Sequence, residues 1–227
     1  MHTINTSSIS IVKKSEAMKK KIAIFLLISC MAIHGQSRYN QFSLEASYGY
    51  SGAISPYIGA YKSNFSGLTN LNLGGRLMFN ENFGLRGEYA NDRFENDPGG
   101  KIGIYYNRIG LQAYFNVGKL FGLPYMLNEN VGLLTHGGVG YTRARPIDAS
   151  KSEQIGNLII GITPQLKLSE RVAIFTDVSF ISNFKQHYRF DGSLISEQYK
   201  PTIGFHYNIS FGLMVYLGKN RYHADWY

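Results

Sequence analysis

The stretch "TIGFHYNISFGLMVYLGK", Thr202 to Lys219, sets Ile203, Phe205, Tyr207, Ile209, Phe211, Leu213, Val215 and Leu217 on every second position. Between them stand Gly204, His206, Asn208, Ser210, Gly212, Met214 and Tyr216, so one face is large and apolar and the other small or polar. Alternation of period two over this length is the mark of a β-strand with two different environments on its faces. Whether the apolar face meets a protein core or lipid decides what kind of protein this is.

Seven further segments repeat the pattern, each bounded by turn residues. "QFSLEASYGY" carries Phe42, Leu44, Ala46, Tyr48 and Tyr50 on one face; "NLNLGGRLMF" carries Leu71, Leu73, Gly75, Leu77 and Phe79; "FGLRGEYAN" carries Phe83, Leu85, Gly87 and Tyr89. "YNRIGLQAYFNV" follows with Ile109, Leu111, Ala113, Phe115 and Val117, and "VGLLTHGGVGY" with Val131, Leu133, Val139 and Tyr141. "LIIGITPQLKL" contributes Leu158, Ile160, Ile162, Leu166 and Leu168, and "VAIFTDVSFISNF" contributes Val172, Ile174, Val178, Phe180 and Phe184. Each segment has about the 9 to 11 residues that a tilted strand needs to cross a bilayer. Pro164, which cannot donate a ladder hydrogen bond, is expected to mark a bulge in the sixth strand.

Connection lengths alternate. Long, polar or Gly/Pro-containing loops run over 51–66, 92–101, 144–156 and 188–201, while "NEN" at 80–82 and "SER" at 169–171 are tight turns. "KLFGLPYMLNEN", between the fourth and fifth strands, is expected to hold a short interfacial helix. Long loops at one end and shorter connections at the other, with both termini at the short end, are the layout of outer-membrane barrels. The expected fold is all-β, an eight-stranded antiparallel up-and-down transmembrane β-barrel, whose even strand count closes the sheet and leaves no edge.

A soluble eight-stranded barrel would turn its apolar face inward. Opposite the apolar phase, however, lie Glu45, Arg76, Arg86, Glu88, Arg108, Lys167 and Asp177, together with Asn70, Asn72, Gln112, Asn116, His136, Gln165, His206 and Asn208. Acids and bases in that number can pair across a narrow lumen, where an unpaired buried charge is too costly. The expectation is a lumen charge network inside and lipid outside, with no apolar core needed. The aromatics agree: Phe42, Phe79, Phe83 and Phe115 fall beside the short turns, and Tyr50, Tyr89, Tyr105 and Tyr141 beside the long loops. Two such rings are the girdles expected at membrane interfaces.

Composition is consistent with this reading. The 227 residues include 25 Gly, 17 Tyr and 14 Phe, which favours many short strands. "MKKKIAIFLLISCMAIHGQS", from Met18, has a basic start, an apolar run and a small residue before Gln36, the pattern of a secretory signal over 18–35. Residues 1–17 read as an upstream, non-native start, the barrel is expected over 36–219, and 220–227 as a periplasmic tail. Cys30, the single cysteine, sits in an apolar run that continues through Ile33, with lipidation at Cys30 as the alternative. No disulfide framework or thiolate metal site is available beyond the leader. Lys13, Lys14, Lys19, Lys20 and Lys21 against Glu16 account for +4 of the net +8, so the remaining excess is too mild for a nucleic-acid footprint.

"FNENFGLRGEY", "RIGLQAYFNVGKLF", "VGLLTHGGVGYT", "GNLIIGITPQLKLSERVAI", "QHYRFDG" and "VYLGKNRYHADWY", in this order and spacing, resemble the N-terminal membrane barrel of OmpA-like outer membrane proteins. The resemblance spans about Phe42 to Tyr227. It implies an integral barrel in the outer membrane of a Gram-negative bacterium, in contact with outer-membrane lipid and lipopolysaccharide and inserted by the barrel-assembly machinery. In two-domain members, the segment like "HADWY" leads into a linker and a peptidoglycan-binding domain. The sequence here stops at Tyr227, so peptidoglycan anchoring is not carried over.

Parts for nucleophilic or acid/base chemistry exist in His136, His187, His206, Asp177, Asp191, Ser179 and Ser182, without triad spacing. The histidines fall on different strands with no carboxylate cluster, so no metal or other cofactor is expected. "DPGGK" at 97–101 lacks the Lys-Ser/Thr and helix of a phosphate loop and reads as a hairpin turn. The expected role is structural, non-enzymatic membrane integrity, with four surface loops free for a ligand. The alternatives are a lipid-modifying barrel enzyme, or a small pore or adhesin.

Overall fold

The computed structural model describes residues 40–56, 65–95, 102–123, 126, 130–148, 151–195, 198 and 200–226. The signal segment 18–35, the upstream residues 1–17, Cys30 and the turn 97–101 lie outside them. Eight strands form one closed antiparallel barrel in sequential order. They are β1 (Phe42–Ser55), β2 (Ser66–Met78), β3 (Phe83–Glu95), β4 (Gly103–Phe115), β5 (Val131–Pro146), β6 (Glu153–Lys167), β7 (Val172–Gln186) and β8 (Thr202–Leu217). Pairing of β1 with β8, from Phe42 opposite Leu217 to Ser55 opposite Phe205, closes the ring.

The alternation in the sequence becomes an inversion of the usual globular arrangement. Ile109, Val139 and Phe211 on the outer wall are 60%, 61% and 70% exposed, whereas Arg76, Arg86 and Arg108 inside are 0%, 1% and 2% exposed. The strands are longer than the apolar stretches that announce them. On β3 to β6 the alternation changes sign at the long-loop ends: in β3 the outward residues pass from Tyr89 to Asn91 and Arg93 while the inward ones pass from Glu88 to Phe94. A wall that emerges from an apolar medium into water again needs polar residues outside and a core inside.

Pro164 makes no bulge. It pairs with Leu133 on β5 in unbroken register, and on the other side the β6–β7 ladder skips 163 and 164 while keeping register from Ile162–Val178 to Gln165–Phe175. The missing donor therefore falls on the β7 side and costs one rung. Register shifts lie instead at Gly49/Ser51, Ala53/Ser55 and Asn183/Gln186.

The short connections close by local hydrogen bonds. Asn80 Oδ1 accepts from the backbone N–H of Asn82 and Phe83 at 2.9 and 2.8 Å, an Asx turn. After β4 the chain forms a helical turn, α1 (Val117–Leu120), capped by Asn116, whose side chain accepts from Lys119 N. Leu120 and Phe121 stay exposed there, as an interfacial element requires. Val117 thus belongs to the helix and not to the fourth strand.

Candidate functional site

Seven ionised side chains inside the barrel form one alternating line. Asp225 Oδ2 meets Arg76 Nη2 at 2.6 Å, and Arg76 Nε donates to Glu45 Oε1 at 2.8 Å. Glu45 Oε2 lies 2.8 Å from Arg86 Nε, close but off the N–H direction, so this contact is Coulombic rather than a hydrogen bond. Arg86 Nη1 reaches Glu88 Oε2 at 3.0 Å; Glu88 Oε1 and Asp92 Oδ2 each lie 3.3 Å from Arg108. The line begins and ends in a carboxylate, and each of these terminal acids has a single arginine. They make up the difference with neutral donors: Asp92 Oδ1 accepts from Ser51, Asn70 and Asn208, and Asp225 Oδ2 accepts from the Tyr216 hydroxyl. Buried charges held in this way are paired along their whole length, the condition under which burial is tolerable.

One glycine makes the line continuous. Glu45, Gly74 and Glu88 are cross-strand neighbours on β1, β2 and β3, all facing inward. A Cβ on Gly74 would sit 2.6 Å from Arg86 Nε, so the absent side chain is the gap through which Arg86 crosses β2 to reach Glu45.

Five of the seven residues expected in the lumen network, Glu45, Arg76, Arg86, Glu88 and Arg108, stand in this line. Lys167 does not. It has inward parity but sits at the last residue of β6, half-buried, with Nζ 5.8 Å from the Tyr222 ring and 6.0 Å from that of Trp226. Asp177 is buried but belongs to a separate group: His136 Nε2 lies 3.1 Å from Oδ2, Thr163 donates to Oδ2 and Ser179 to Oδ1. Asp92 and Asp225, which complete the line, lie beyond the alternating segments read in the sequence, in stretches assigned to a loop and to the tail.

Two seals flank the charged zone, and neither was expected of a barrel thought to need no apolar core. At the long-loop end, Phe65, Phe94, Ile104, Tyr106, Ala144, Ile155, Tyr188 and Phe190 form a buried cluster. Phe190 is delivered by the turn after β7 and packs edge-on against Phe94 at 4.6 Å. The turn is held by Glu153, which accepts from the backbone of His187 and Tyr188, and by Arg189, which donates to the carbonyls of Leu194 and Ile195. Gly192, at φ +83°, brings it against Gly103, where a Cβ would lie 2.7 Å from the Gly103 oxygen.

At the other end the tail 220–226 folds back over the mouth. Asn40 bridges to His223, Ala224 N donates to Asn40 O at 3.0 Å, and the 3-10 turn Ala224–Trp226 carries Asp225 to Arg76. His223 stacks on Tyr216 at 4.2 Å, and Trp226 Nε1 donates to the Tyr216 hydroxyl at 3.0 Å. Burial alone would raise the Asp225 carboxyl, but the Arg76 charge, together with His223 and the hydrogen bonds both make, outweighs it and holds the group well below the usual carboxylate range.

The aromatic rings are placed as follows. Phe79, Phe83 and Phe115 form a contiguous stack at the short-turn end, with centroids 5.6 and 5.0 Å apart, and Phe42 is exposed on the same side. Tyr50 lies 6.2 Å from Tyr207, and Tyr89 and Tyr141 flank Ile109 in one outward row. Tyr105 is not in that row but two rows beyond it, between Arg93 and Arg145, with the Arg93 guanidinium 5.7 Å from its ring.

Ser179 donates to Asp177 and not to a histidine, and His136 approaches the same carboxylate from its other oxygen. His187 contacts Glu153 Oε2 at 3.0 Å, while Asp191 is occupied by Ser193. Among the described residues no group of three or more His, Cys, Asp or Glu has metal-binding geometry.

No family model matches the chain. Nor does any curated protein match it. Among solved structures it is similar to Neisserial surface protein A, at 13% identity over 78% of this chain and 97% of that one, with a TM-score of 0.51. It is also similar to Ail, the attachment invasion locus protein of Yersinia pestis, at 17% identity over 79% of this chain and 99% of that one, TM-score 0.46. The N-terminal β-barrel domain of Pseudomonas aeruginosa OprF follows at 10% identity over 78% of this chain and 99% of that one, TM-score 0.45. At such identities the likeness is one of fold, the eight-stranded outer-membrane type of barrel.

Proposed function

We propose that this chain is an integral outer-membrane barrel with a structural role in the envelope, closed to solutes, without enzymatic activity, and displaying its long connections outward as a surface for a ligand or adhesion partner. The inverted wall carries this reading: a belt of Leu, Ile, Val and Phe outside and a line of seven buried charges inside. Such a surface is soluble in lipid and not in water. Lipid and lipopolysaccharide are the partners of the belt, and the barrel-assembly machinery the partner during insertion. Export by the segment 18–35 belongs to the same reading.

Closure to solutes is supported by the two seals, since an eight-stranded barrel has room only for its own side chains and these fill it at both mouths. The test is mobility of the outer-membrane fraction in SDS with and without boiling. A cold sample that runs at a different apparent size from the boiled one is expected. A protein found in the soluble fraction with one mobility would overturn the reading. In planar bilayers the folded protein should give no steady conductance.

A further inference from the structure

Above the outward row Tyr89–Ile109–Tyr141, the same three strands carry two more outward rows in register: Asn91–Asn107–Arg143, then Arg93–Tyr105–Arg145. These six residues line a shallow groove of about 450 Å³ on the outside of the wall. All three arginines are exposed, and among the described residues none of them pairs with a carboxylate. Arg93 rests on the Tyr105 ring, and Arg143 Nε donates to Ser152, so two of the three are held in place without being neutralised. On β7 and β8 the outward positions near the long-loop end are predominantly apolar, with Phe184, Ile203 and Phe205. The basic groove is thus confined to one side of the barrel.

Its height matters more than its charge. On these three strands the apolar belt ends at the tyrosine row, and the arginine rows begin about 7 Å further along the strand. They point sideways out of the wall, not upward from the loops. Anything that fills the groove approaches in the plane of the membrane, at the level where acyl chains give way to headgroups. Neighbouring strands are about 4.8 Å apart, so Arg93 and Arg145, on either side of Tyr105, are spaced for a headgroup with more than one anionic group. Asn91 donates to Asn107 Oδ1 at 2.8 Å and Tyr89 donates to the same oxygen at 3.0 Å, which leaves the Asn107 amide N–H free for a polar headgroup.

We infer that the β3–β5 wall is a binding site for the phosphorylated headgroup of an outer-leaflet glycolipid, with Arg93, Arg143 and Arg145 as phosphate ligands and Asn107 as a hydrogen-bond donor to the sugar. The inference rests on the membrane reading above. It makes the barrel an ordered neighbour of lipopolysaccharide on one face.

The test uses the full folded protein in mixed micelles titrated with bisphosphorylated lipid A, the bound fraction being read by intact-complex mass spectrometry. Replacing the three arginines together by glutamine should weaken binding roughly a hundredfold, from about fivefold for each arginine at an anionic surface. The triple lysine variant should stay within a few-fold of wild type, and dephosphorylated lipid A should bind as poorly to wild type as lipid A does to the glutamine variant. Equal binding by wild type and the glutamine variant overturns the site. Displacement of lipid A by tripolyphosphate at matching concentration also overturns it, because the ligand would then be a soluble polyanion. Cold SDS mobility of each sample separates the two readings. A wild type without the shift removes the membrane reading and the site with it, whereas a shifted wild type that ignores lipid A removes the site alone.

Discussion

The tail seal offers a sharp perturbation because its lock and its reporter are adjacent. Asp225→Asn keeps the shape of the side chain and removes its charge. In the structure this carboxylate is buried, 2.6 Å from Arg76 Nη2 and 3.2 Å from the Tyr216 hydroxyl. Breaking a buried pair by deleting one partner costs about 3–5 kcal/mol. Arg76 keeps Glu45 at 2.8 Å and the amide oxygen still accepts from Tyr216, so the cost falls at or below the bottom of that range: about 2–3 kcal/mol, or roughly 30- to 150-fold in the docking equilibrium. The loss is local, since the strand ladder does not involve Asp225. Trp226, the single tryptophan of the chain, sits in the seal and reports on it. Urea titration followed by tryptophan emission and acrylamide quenching should show the variant's tail releasing at lower urea than wild type, while cold SDS mobility stays unchanged. Superimposable tryptophan transitions for the two proteins would refute the idea that the Asp225–Arg76 pair holds the tail.

The same seal has a signed pH dependence. A carboxyl held below its ordinary value near 3.9 contributes its full stabilisation above that value and loses it as pH falls further, so the difference in Trp226 signal between wild type and Asp225→Asn should be constant from neutral to about pH 4 and close only below it. Arg86→Leu, which strips Glu45 and Glu88 of a shared partner, should lower barrel stability by about 3–5 kcal/mol in urea, whereas Tyr89→Phe, losing one exposed hydrogen bond to Asn107, should stay within about 0.5 kcal/mol. Equal tolerance of both would invert the facing of β3. Gly74→Ala, whose methyl would strike Arg86, should cost about 1–3 kcal/mol by the same titration, and Gly87→Ala, with nothing within 4 Å of its Cβ, should be neutral or slightly stabilising.

What was legible in the sequence follows from how local each constraint is. All eight strands and their facing could be read because period two is a property of neighbouring residues, and opposite solvents on the two faces write it plainly. Strand ends were missed by up to five residues for the opposite reason. Where the wall leaves the apolar zone the phase inverts, so Arg93 and Phe94, and Ala144 and Arg145, fall in stretches read as loop although they continue the same strands. Lys167 had the right parity and the wrong depth. Depth depends on how far along a tilted strand a residue lies relative to its neighbours, and no single segment encodes that. Asp225 was missed because its partner is 149 residues away and its own stretch has no period. The fold of 220–226 back into the mouth is a tertiary event, visible only once Arg76 is known to face it.

The line of seven charges also predicts how its members combine. Each interior carboxylate and each arginine serves two partners, so deleting one leaves two like-charged neighbours half-satisfied. Glu45→Gln and Arg86→Gln should therefore cost less together than the sum of the two singles, because the second change removes the charge that the first left stranded. Glu45→Gln paired with Asp177→Asn gives the contrast: Asp177 belongs to the His136, Thr163 and Ser179 group and makes no ion pair with the line, so those two costs should add within about 0.5 kcal/mol. Urea midpoints of the three single variants and two double variants decide it. Additivity in both cycles would mean that the charges act as independent pairs, and that the barrel interior is wet enough to screen one from the next.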